Sequence, residues 1–331
     1  MTHLMVAADR AYRIEHVATC ILCGSGSSRE LFKVPPFGFR RCLGCGLVRL
    51  SPRVSAEDLS NLYDDWGREQ FAPLDEPLEL QLRNPTFDFR AKRLAAYTPG
   101  PRLFEVGCGD GNFLAFMRSR GWVVSGSEAT ETAAQTTRER HAIDVHRVEF
   151  DSFQMPGGKY EAVGLYHVFE HLYDPRAILE GVRDALAPEG VIHLQLVNHR
   201  SIDGRLGGRL WWGLQCPQHT FLYEPRHLRS LLLEHGFRVL SIETYDPWHS
   251  PGMMELTLRA VLKRMAQRVR LTPPAPRTST AVRAYAAHPE REEQALARLL
   301  SPTVRTVARF LARAESFVGF GNVADVVAVP R

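Results

Sequence analysis

The residues that could do chemistry begin with a turn that carries one acidic residue and three glycines. It reads E-V-G-C-G-D-G over residues 105–111, after an apolar run typical of a buried strand and before a helical pattern. Alternating glycines permit positive φ angles and let a ligand lie against the backbone. A dinucleotide-binding turn has the spacing G-x-G-x-x-G, whereas the third glycine here comes one residue early. The turn predicts a ligand site, and its spacing disfavours an oxidoreductase with a nicotinamide cofactor.

Four cysteines have the spacing of a metal site, C-x2-C-x18-C-x2-C, and they are Cys20, Cys23, Cys42 and Cys45. A glycine follows each pair, which suits a tight turn that brings backbone N–H groups toward the sulfurs. We expect a structural Zn²⁺ here, because four thiolates close the coordination shell and leave no position for an activated water. Cys108 and Cys216 remain, and we interpret them as free thiols.

Two histidines and a glutamate lie at the end of the predicted strand Tyr160–His167. The segment H-V-F-E-H-L-Y-D-P covers residues 167–175; His167 ends that strand, and Glu170 and His171 lie just beyond it. A further histidine, His219, lies in a later loop. A neutral histidine can take a proton from a hydroxyl group near pH 7, so His171 and His219 are candidate bases. The alternative for each is a structural hydrogen bond.

The elements around these residues alternate between strand and helix from residue 103 onward. Strands are predicted at 103–106, 122–126, 160–167, 191–197 and 238–245, with helices between them and a short third strand near 141–148. Such alternation predicts an α/β fold with a doubly wound parallel sheet. The carboxyl ends of its strands meet at one crevice, where ligands bind.

Three motifs in this chain resemble one enzyme family. E-x-G-x-G-x-G is similar to motif I of the class I S-adenosylmethionine (SAM) methyltransferases. C-x-x-C-G-L-V and H-V-x-E-H-L-x-D-P resemble the UbiG-like and zinc-ribbon small-molecule methyltransferases. The resemblance covers the chain except residues 250–320. It implies a seven-stranded, Rossmann-like sheet whose last, antiparallel strand is Asn322–Val329.

The resemblance also implies roles for individual residues. Glu128 would hold the ribose hydroxyls of SAM, and Asp151 would contact the adenine amino group. The expected SAM-binding residues are Glu105, Gly107, Cys108, Gly109, Gly111, Glu128, Asp151 and His167. The expected catalytic residues, close to the transferred methyl group, are His171, His219, His167 and Glu170.

The predicted organisation has five parts. They are a zinc ribbon at 1–52, a helical linker or lid at 53–100, the SAM-binding core at 101–250, a helical insertion or cap at 251–320, and the final strand at 321–331. Residues 251–331 carry 13 Lys and Arg against 6 Asp and Glu. We interpret the insertion as a cap with a solvated basic face, and a peripheral membrane contact through residues 252–318 or a subunit interface as alternatives. Its second helix is predicted to break at Pro302.

We expect a SAM-dependent O-methyltransferase that acts on a small molecule such as a sugar, a polyketide or a lipid-linked metabolite. Sugar C-methyltransferases resemble this chain but carry Glu-His where it has Gln218-His219. An RNA methyltransferase is a further alternative, yet the interleaved basic and aromatic residues of a nucleic-acid platform are missing. A non-catalytic scaffold is disfavoured by the retained Glu105 and Glu128. No apolar run of ~18 residues or signal-peptide pattern occurs, so a cytoplasmic location is expected. The sequence leaves the oligomeric state open.

Overall fold

The computed structural model describes residues 12–70, 84–98, 100–148, 155, 158–268 and 291–331. Within these ranges, side chains are described except at 67–70, 266–268 and 291–301. Asp151 and the proline-rich stretch 272–280 lie outside the described residues.

The N-terminal region contributes strands to two small antiparallel sheets. Its strands are β1 (Ile14–Glu15), β2 (Ser28–Val34), β3 (Phe37–Cys42), β4 (Val48–Leu50) and β5 (Arg53–Val54). β2, β3 and β4 pair in sequence order, and β1 pairs with β5. β3 therefore lies between β2 and β4 and pairs with both.

Two helices connect this region to the main sheet. Helix α1 (Ala56–Gln70) lies in the segment 53–100, for which a helical linker or lid was expected. Helix α2 (Pro85–Tyr97) begins at a cap in which the Asn84 side chain accepts a hydrogen bond from the Thr86 N–H at 2.9 Å. Proline at the first position suits this start, because its missing N–H would have no partner within the helix.

The main sheet has seven strands. Their bounds are β6 Arg102–Val106, β7 Val123–Glu128, β8 Val145–Arg147, β9 Tyr160–Tyr166, β10 Leu186–Val197, β12 Phe237–Glu243 and β13 Val323–Pro330. They lie in the order β12-β13-β10-β9-β6-β7-β8. Neighbouring strands from β10 to β8 are parallel, whereas β13 is antiparallel to both β10 and β12. This confirms the predicted fold class, including the antiparallel last strand.

Helices on the chain between these strands carry the parallel connections. They are α3 (Asn112–Ser119), α4 (Glu131–His141), α5 (Pro175–Ala185), α6 (Ile202–Gly207) and α7 (Pro225–Glu234). The predicted loop after β10 contains the short α6 and two 3₁₀ turns, Gly208–Leu210 and Trp212–Leu214. The Trp211 side chain in this segment is fully buried and donates from Nε1 to Asp203 Oδ2 at 3.1 Å. It therefore packs inside the protein and does not cover a ligand.

The insertion forms two packed helices, α8 (His249–Arg268) and α9 (Arg291–Phe317). Met254 of α8 is buried against Ala308 and Ala312 of α9. The predicted break at Pro302 was wrong, because α9 continues through it. A proline removes one backbone hydrogen bond of a helix, and the packing of the following turns holds the helix together across that gap. None of the described helices is long and apolar enough to cross a membrane.

The ribbon and the main sheet are joined by a strand from the core. β11 (Phe221–Leu222) lies beyond the loop that carries His219, and it pairs antiparallel with β4. Leu22 and Leu47 of the ribbon also belong to the same buried cluster as Leu194 and Leu228 of the core. The ribbon thus shares both a sheet and a hydrophobic core with the rest of the protein.

Candidate functional site

The glycine turn lies between β6 and α3, at the carboxyl edge of the parallel strands. Gly107, Gly109 and Gly111 have φ angles of +65°, +57° and +72°. A Cβ at Gly107 would lie 2.6 Å from the Val168 Cγ2, and one at Gly111 would lie 2.3 Å from the Thr137 Cγ2. Both the backbone conformation and the available space therefore require glycine.

Glu105, the last acidic residue of β6, is 4% exposed. Its Oε2 has no hydrogen-bond partner among the described residues. The pKa of this carboxyl is raised to about 8, mainly by burial; Arg90 opposes this shift, and Asp110 and Glu128 add to it. A buried, unpartnered carboxylate needs a donor or a positive charge, and SAM supplies both through its ammonium and sulfonium groups. The residues present therefore fit this cofactor.

Glu105 should make stability depend on pH. The native protein holds the proton of this carboxyl up to about pH 8, while the unfolded chain releases it near 4.5. The free energy of unfolding should therefore fall as the pH rises from 4.5 to 8. In urea titrations of cofactor-free protein, the drop in unfolding free energy between pH 4.5 and pH 8 should be smaller by a few kcal/mol in Glu105→Gln. Glu189→Gln, at an exposed position, should leave it unchanged, and an equal slope in all three proteins would contradict the prediction.

Glu128 ends β7 beside the glycine turn and is 7% exposed. Its Oε2 accepts from the Gly109 N–H at 2.9 Å, and its Oε1 accepts from Thr130 N and Thr130 Oγ1 at 2.9 and 3.1 Å. Cys108, between the glycines, is buried, and burial raises the pKa of its thiol. The structure thus brings Glu105, Glu128 and the turn together at one edge.

The four predicted catalytic residues also come together. His167 Nδ1 lies 3.5 Å from Glu170 Oε1, and His219 Nε2 lies 4.0 Å from the same oxygen. The rings of His171 and His219 are 4.8 Å apart between centroids. We call these four residues the histidine rim. His167 follows β9 with a φ of +58°, and its N–H donates to the Gln195 carbonyl at 2.7 Å.

Backbone and side-chain contacts hold the histidine rim in place. The Glu170 carbonyl accepts from the N–H groups of Thr220 and Phe221 at 2.9 and 3.1 Å. His219 Nδ1 donates to the Gly213 carbonyl at 2.7 Å, which leaves Nε2 directed toward Glu170. The distant residue Tyr63 is hydrogen-bonded through its hydroxyl to His171 Nδ1 at 2.7 Å. Helix α1 therefore contributes directly to the rim.

Burial keeps the rim close to neutral. It lowers the pKa of His167 to about 4 and lowers the pKa of His171 and His219, while it raises the pKa of the Glu170 carboxyl. Glu170 Oε2 and His167 Nε2 are buried without hydrogen-bond partners among the described residues. Neutral imidazoles of this kind can hold a polar ligand or accept a proton.

Sequence reasoning missed a second group of polar residues beside the rim. Asp246 and His249 follow β12, and the His249 ring lies 4.4 Å from the His167 ring between centroids. Arg90 of α2 donates from Nε to Gln195 Oε1 at 2.6 Å, and its guanidinium lies 4.0 Å from the Tyr166 ring centroid. The available signal was the D-P-W-H segment at the end of a strand, a position where the other strands carry site residues.

The four ribbon cysteines converge as their spacing predicted. Cys20 Sγ lies 3.5 Å from Cys45 Sγ, and Cys23 Sγ lies 3.5 Å from Cys42 Sγ. All four sulfurs lie within 4.8 Å of one another. Burial raises the pKa of the Cys42 thiol, but backbone N–H groups of Cys45 and Gly44 and the neighbouring thiols lower it to about 6. The donor set, four sulfurs with N–H groups directed at them, fits a tetrahedral Zn²⁺.

Comparisons with known proteins cover the core of the chain. A family model described as a methyltransferase domain matches residues 78–242. A ubiquinone biosynthesis O-methyltransferase of Xanthomonas campestris pv. campestris is 30% identical over 188 residues, which cover 52% of this chain and 77% of that protein. One from Dinoroseobacter shibae is 27% identical over 168 residues, covering 45% and 67%. The solved structure of an S-adenosylmethionine-dependent methyltransferase from Mesorhizobium loti has a TM-score of 0.46 at 15% identity and covers 76% of this chain and 100% of that one.

Proposed function

Because this chain belongs to the class I SAM-dependent methyltransferases, in the family of the ubiquinone biosynthesis O-methyltransferases, we propose that it methylates a hydroxyl oxygen of a small molecule. The observation that supports this is the histidine rim, three neutral imidazoles and a buried carboxyl next to Val168, which packs against Gly107 of the glycine turn. SAM, when bound, supplies a methyl group on a positively charged sulfur. The chain's own residues then have three tasks, namely to bind, to align and to remove a proton.

Binding of SAM is assigned to the edge residues of β6 and β7. The backbone of Gly107, Gly109 and Gly111 provides the surface, and Glu105 provides the unpartnered carboxylate. The proposed contacts of Glu128 to the ribose, and of Cys108, Asp151 and His167 to the remainder of the cofactor, follow from the family resemblance.

Alignment is assigned to the rim, and proton removal to a histidine in the rim or in contact with it. Holding the acceptor oxygen in line with the methyl group supplies several kcal/mol of the rate enhancement through proximity. A positioned base adds ~10²–10⁴-fold. His167, Glu170, His171 and His219 are the proposed rim residues that hold the acceptor, with Tyr63 fixing the orientation of His171.

The acceptor is proposed to be a sugar, a polyketide or a lipid-linked metabolite with a free hydroxyl. Nucleic acid fits less well, because the basic side chains of the ribbon are partly used internally. Arg49 is 1% exposed and donates to the Ala18 carbonyl at 3.3 Å, and Arg41 lies 3.8 Å from Glu224. The ribbon is proposed to bind a structural Zn²⁺ through its four cysteines.

The test is S-adenosylhomocysteine release with a panel of hydroxylated sugars, phenols and short-chain isoprenoid phenols, followed by NMR of the product. A new O–CH₃ signal is expected. A new C–CH₃ signal would instead assign the protein to sugar C-methylation, the alternative that Gln218 disfavours. Product from a structured RNA but from no small molecule would overturn the proposal.

A further inference from the structure

The histidines of the rim differ in how much of each ring an acceptor can reach. His171 and His219 are 5% and 1% exposed, and the unbonded nitrogen of His219 is directed inward to Glu170. His167 keeps 23% of its side chain exposed, but its Nε2 is buried. His249 keeps 30% of its side chain exposed. A base must reach the proton that it removes, so accessibility favours His249.

A buried carboxylate holds the other nitrogen of that ring. Asp246, fully buried, accepts from His249 Nδ1–H at 3.0 Å through Oδ1. The same oxygen accepts from the Trp248 N–H at 2.9 Å, the His249 N–H at 2.6 Å and the Thr86 hydroxyl at 2.7 Å. These bonds fix the ring in one orientation. They also place the proton on Nδ1, so the lone pair lies on Nε2, which has no hydrogen bond to any described residue.

His249 adjoins the cofactor side of the rim. Its ring packs on that of His167, the first residue after β9, which lies beside Glu170. Arg90 packs over Tyr166 at the end of β9 and lies close enough to both Glu105 and His249 to affect their pKa values. Arg90 therefore lies between the glycine-turn carboxylate and His249 in this chain of polar contacts.

We propose that His249 is the base that removes the acceptor proton, and that Asp246 is its positioning residue. This inference rests on the proposed O-methylation. The acceptor O–H proton passes to His249 Nε2 as the oxygen lone pair forms the new C–O bond. The methyl–sulfur bond breaks, and its electron pair stays on the sulfur, which becomes neutral. Asp246 then stabilises the imidazolium that remains.

The groups around His249 shift its pKa in opposite directions. Burial and the neighbouring His167 and Arg90 lower the pKa of His249, whereas the hydrogen bond and charge of Asp246 raise it. Glu170 is also close enough to interact with it. The ring is thus neutral before reaction. The Asp246 carboxylate, whose pKa the neighbouring His249 holds well below its usual range, stabilises the ring once it becomes charged.

The first test uses phenols of increasing acidity, from catechol to 4-nitrocatechol, as acceptors. His249→Gln should lower kcat with catechol by at least about 100-fold. It should have little effect on kcat with nitrocatechol at a pH where that phenol is already ionised, because no base is then needed. A purely structural role would lower both rates equally, and that result would overturn the proposal.

The matched control is His235→Gln. His235 also lies near a carboxylate, Glu180, at 3.6 Å, but it precedes β12 and so lies at the opposite edge of the sheet. This variant should methylate every phenol at the wild-type rate. SAM binding by calorimetry should be equal in wild type, His249→Gln and His235→Gln.

The second test needs no acceptor. Long-range ¹H–¹⁵N NMR of histidine-labelled protein reports which ring nitrogen carries the proton, and the His249→Gln spectrum identifies the signal. We expect the Nδ1–H tautomer in the wild type and its loss in Asp246→Ala, which removes the oxygen that accepts this hydrogen bond. An Nε2–H tautomer in the wild type would refute the inference. Failure to methylate any phenol or any other hydroxyl compound of the panel would contradict the proposed O-methylation, while the tautomer result would stand independently.

Discussion

Gly109→Asp is expected to weaken SAM binding by at least about 100-fold, equivalent to roughly 2.7 kcal/mol. Gly109 has a φ of +57°, which costs a residue with a Cβ about 1–2 kcal/mol. Its N–H donates to Glu128 and its carbonyl accepts from the Thr137 hydroxyl at 2.9 Å, so a distorted backbone would disturb both partners. The new carboxylate would also join Glu105, Asp110 and Glu128, three acidic groups that already raise the pKa of Cys108. Isothermal calorimetry measures the effect.

Gly121→Asp is the matched control for this prediction. Gly121 has a φ of +86°, and no described atom beyond its chain neighbours lies within 4 Å of the position that a Cβ would take there. It precedes β7, at the edge of the sheet opposite the glycine turn. This variant should lose stability to backbone strain while binding SAM normally. Equal loss of affinity in both variants would mean that strain alone, and not the site, explains the effect.

Cys42→Ser should remove the metal and destabilise the whole protein. A structural zinc contributes an apparent ~10–16 kcal/mol of binding free energy in small domains, and part of that stabilises the fold. Cys42 is 1% exposed and lies in the buried cluster that joins the ribbon to the core, so the loss should reach the main sheet. We expect a fall in Tm of at least about 10 °C, since about 1 kcal/mol corresponds to ~2–4 °C in a domain of this size.

Metal analysis by mass spectrometry checks the cause. Wild type and Cys216→Ser should each contain one zinc per chain, and Cys42→Ser none, because Cys216 lies outside the four-sulfur cluster. Removal of zinc from the wild type by a chelator should lower its Tm to that of Cys42→Ser. A stable, metal-free wild type would contradict the prediction.

The parts of the site that sequence could predict are those set by local patterns. The glycine turn, Glu128, His167, Glu170 and His171 each lie at or just after the end of a parallel strand, and one topological rule brings such positions together. The cysteine spacing similarly specifies a cluster within one short segment. Asp151 has the same kind of support, but it lies outside the described residues and its role stays a prediction.

The parts that sequence could not predict depend on contacts between distant segments. Tyr63 reaches His171 across 108 residues of chain, and Thr86 reaches Asp246 across 160. The hydrophobic periodicity of a sequence does not indicate such pairs. The continuous course of α9 through Pro302 was missed for a related reason, because packing against α8 outweighs the local cost of proline.

The pairing of β11 with β4 has a consequence for how this enzyme can be recombined. The Leu50 N–H donates to the Thr220 carbonyl at 2.8 Å, and Phe221 is opposite Arg49. The ribbon therefore supplies the backbone hydrogen bonds at the end of the loop that carries His219. Residue 52 is the apparent boundary of the ribbon. A chimera joined there would combine this core with a foreign ribbon, whose β4 strand normally pairs with the β11 segment of another protein. Exchange of the ribbon between relatives should therefore succeed only when residues 215–223 are replaced together with the N-terminal segment. The two stretches should behave as one unit in such chimeras.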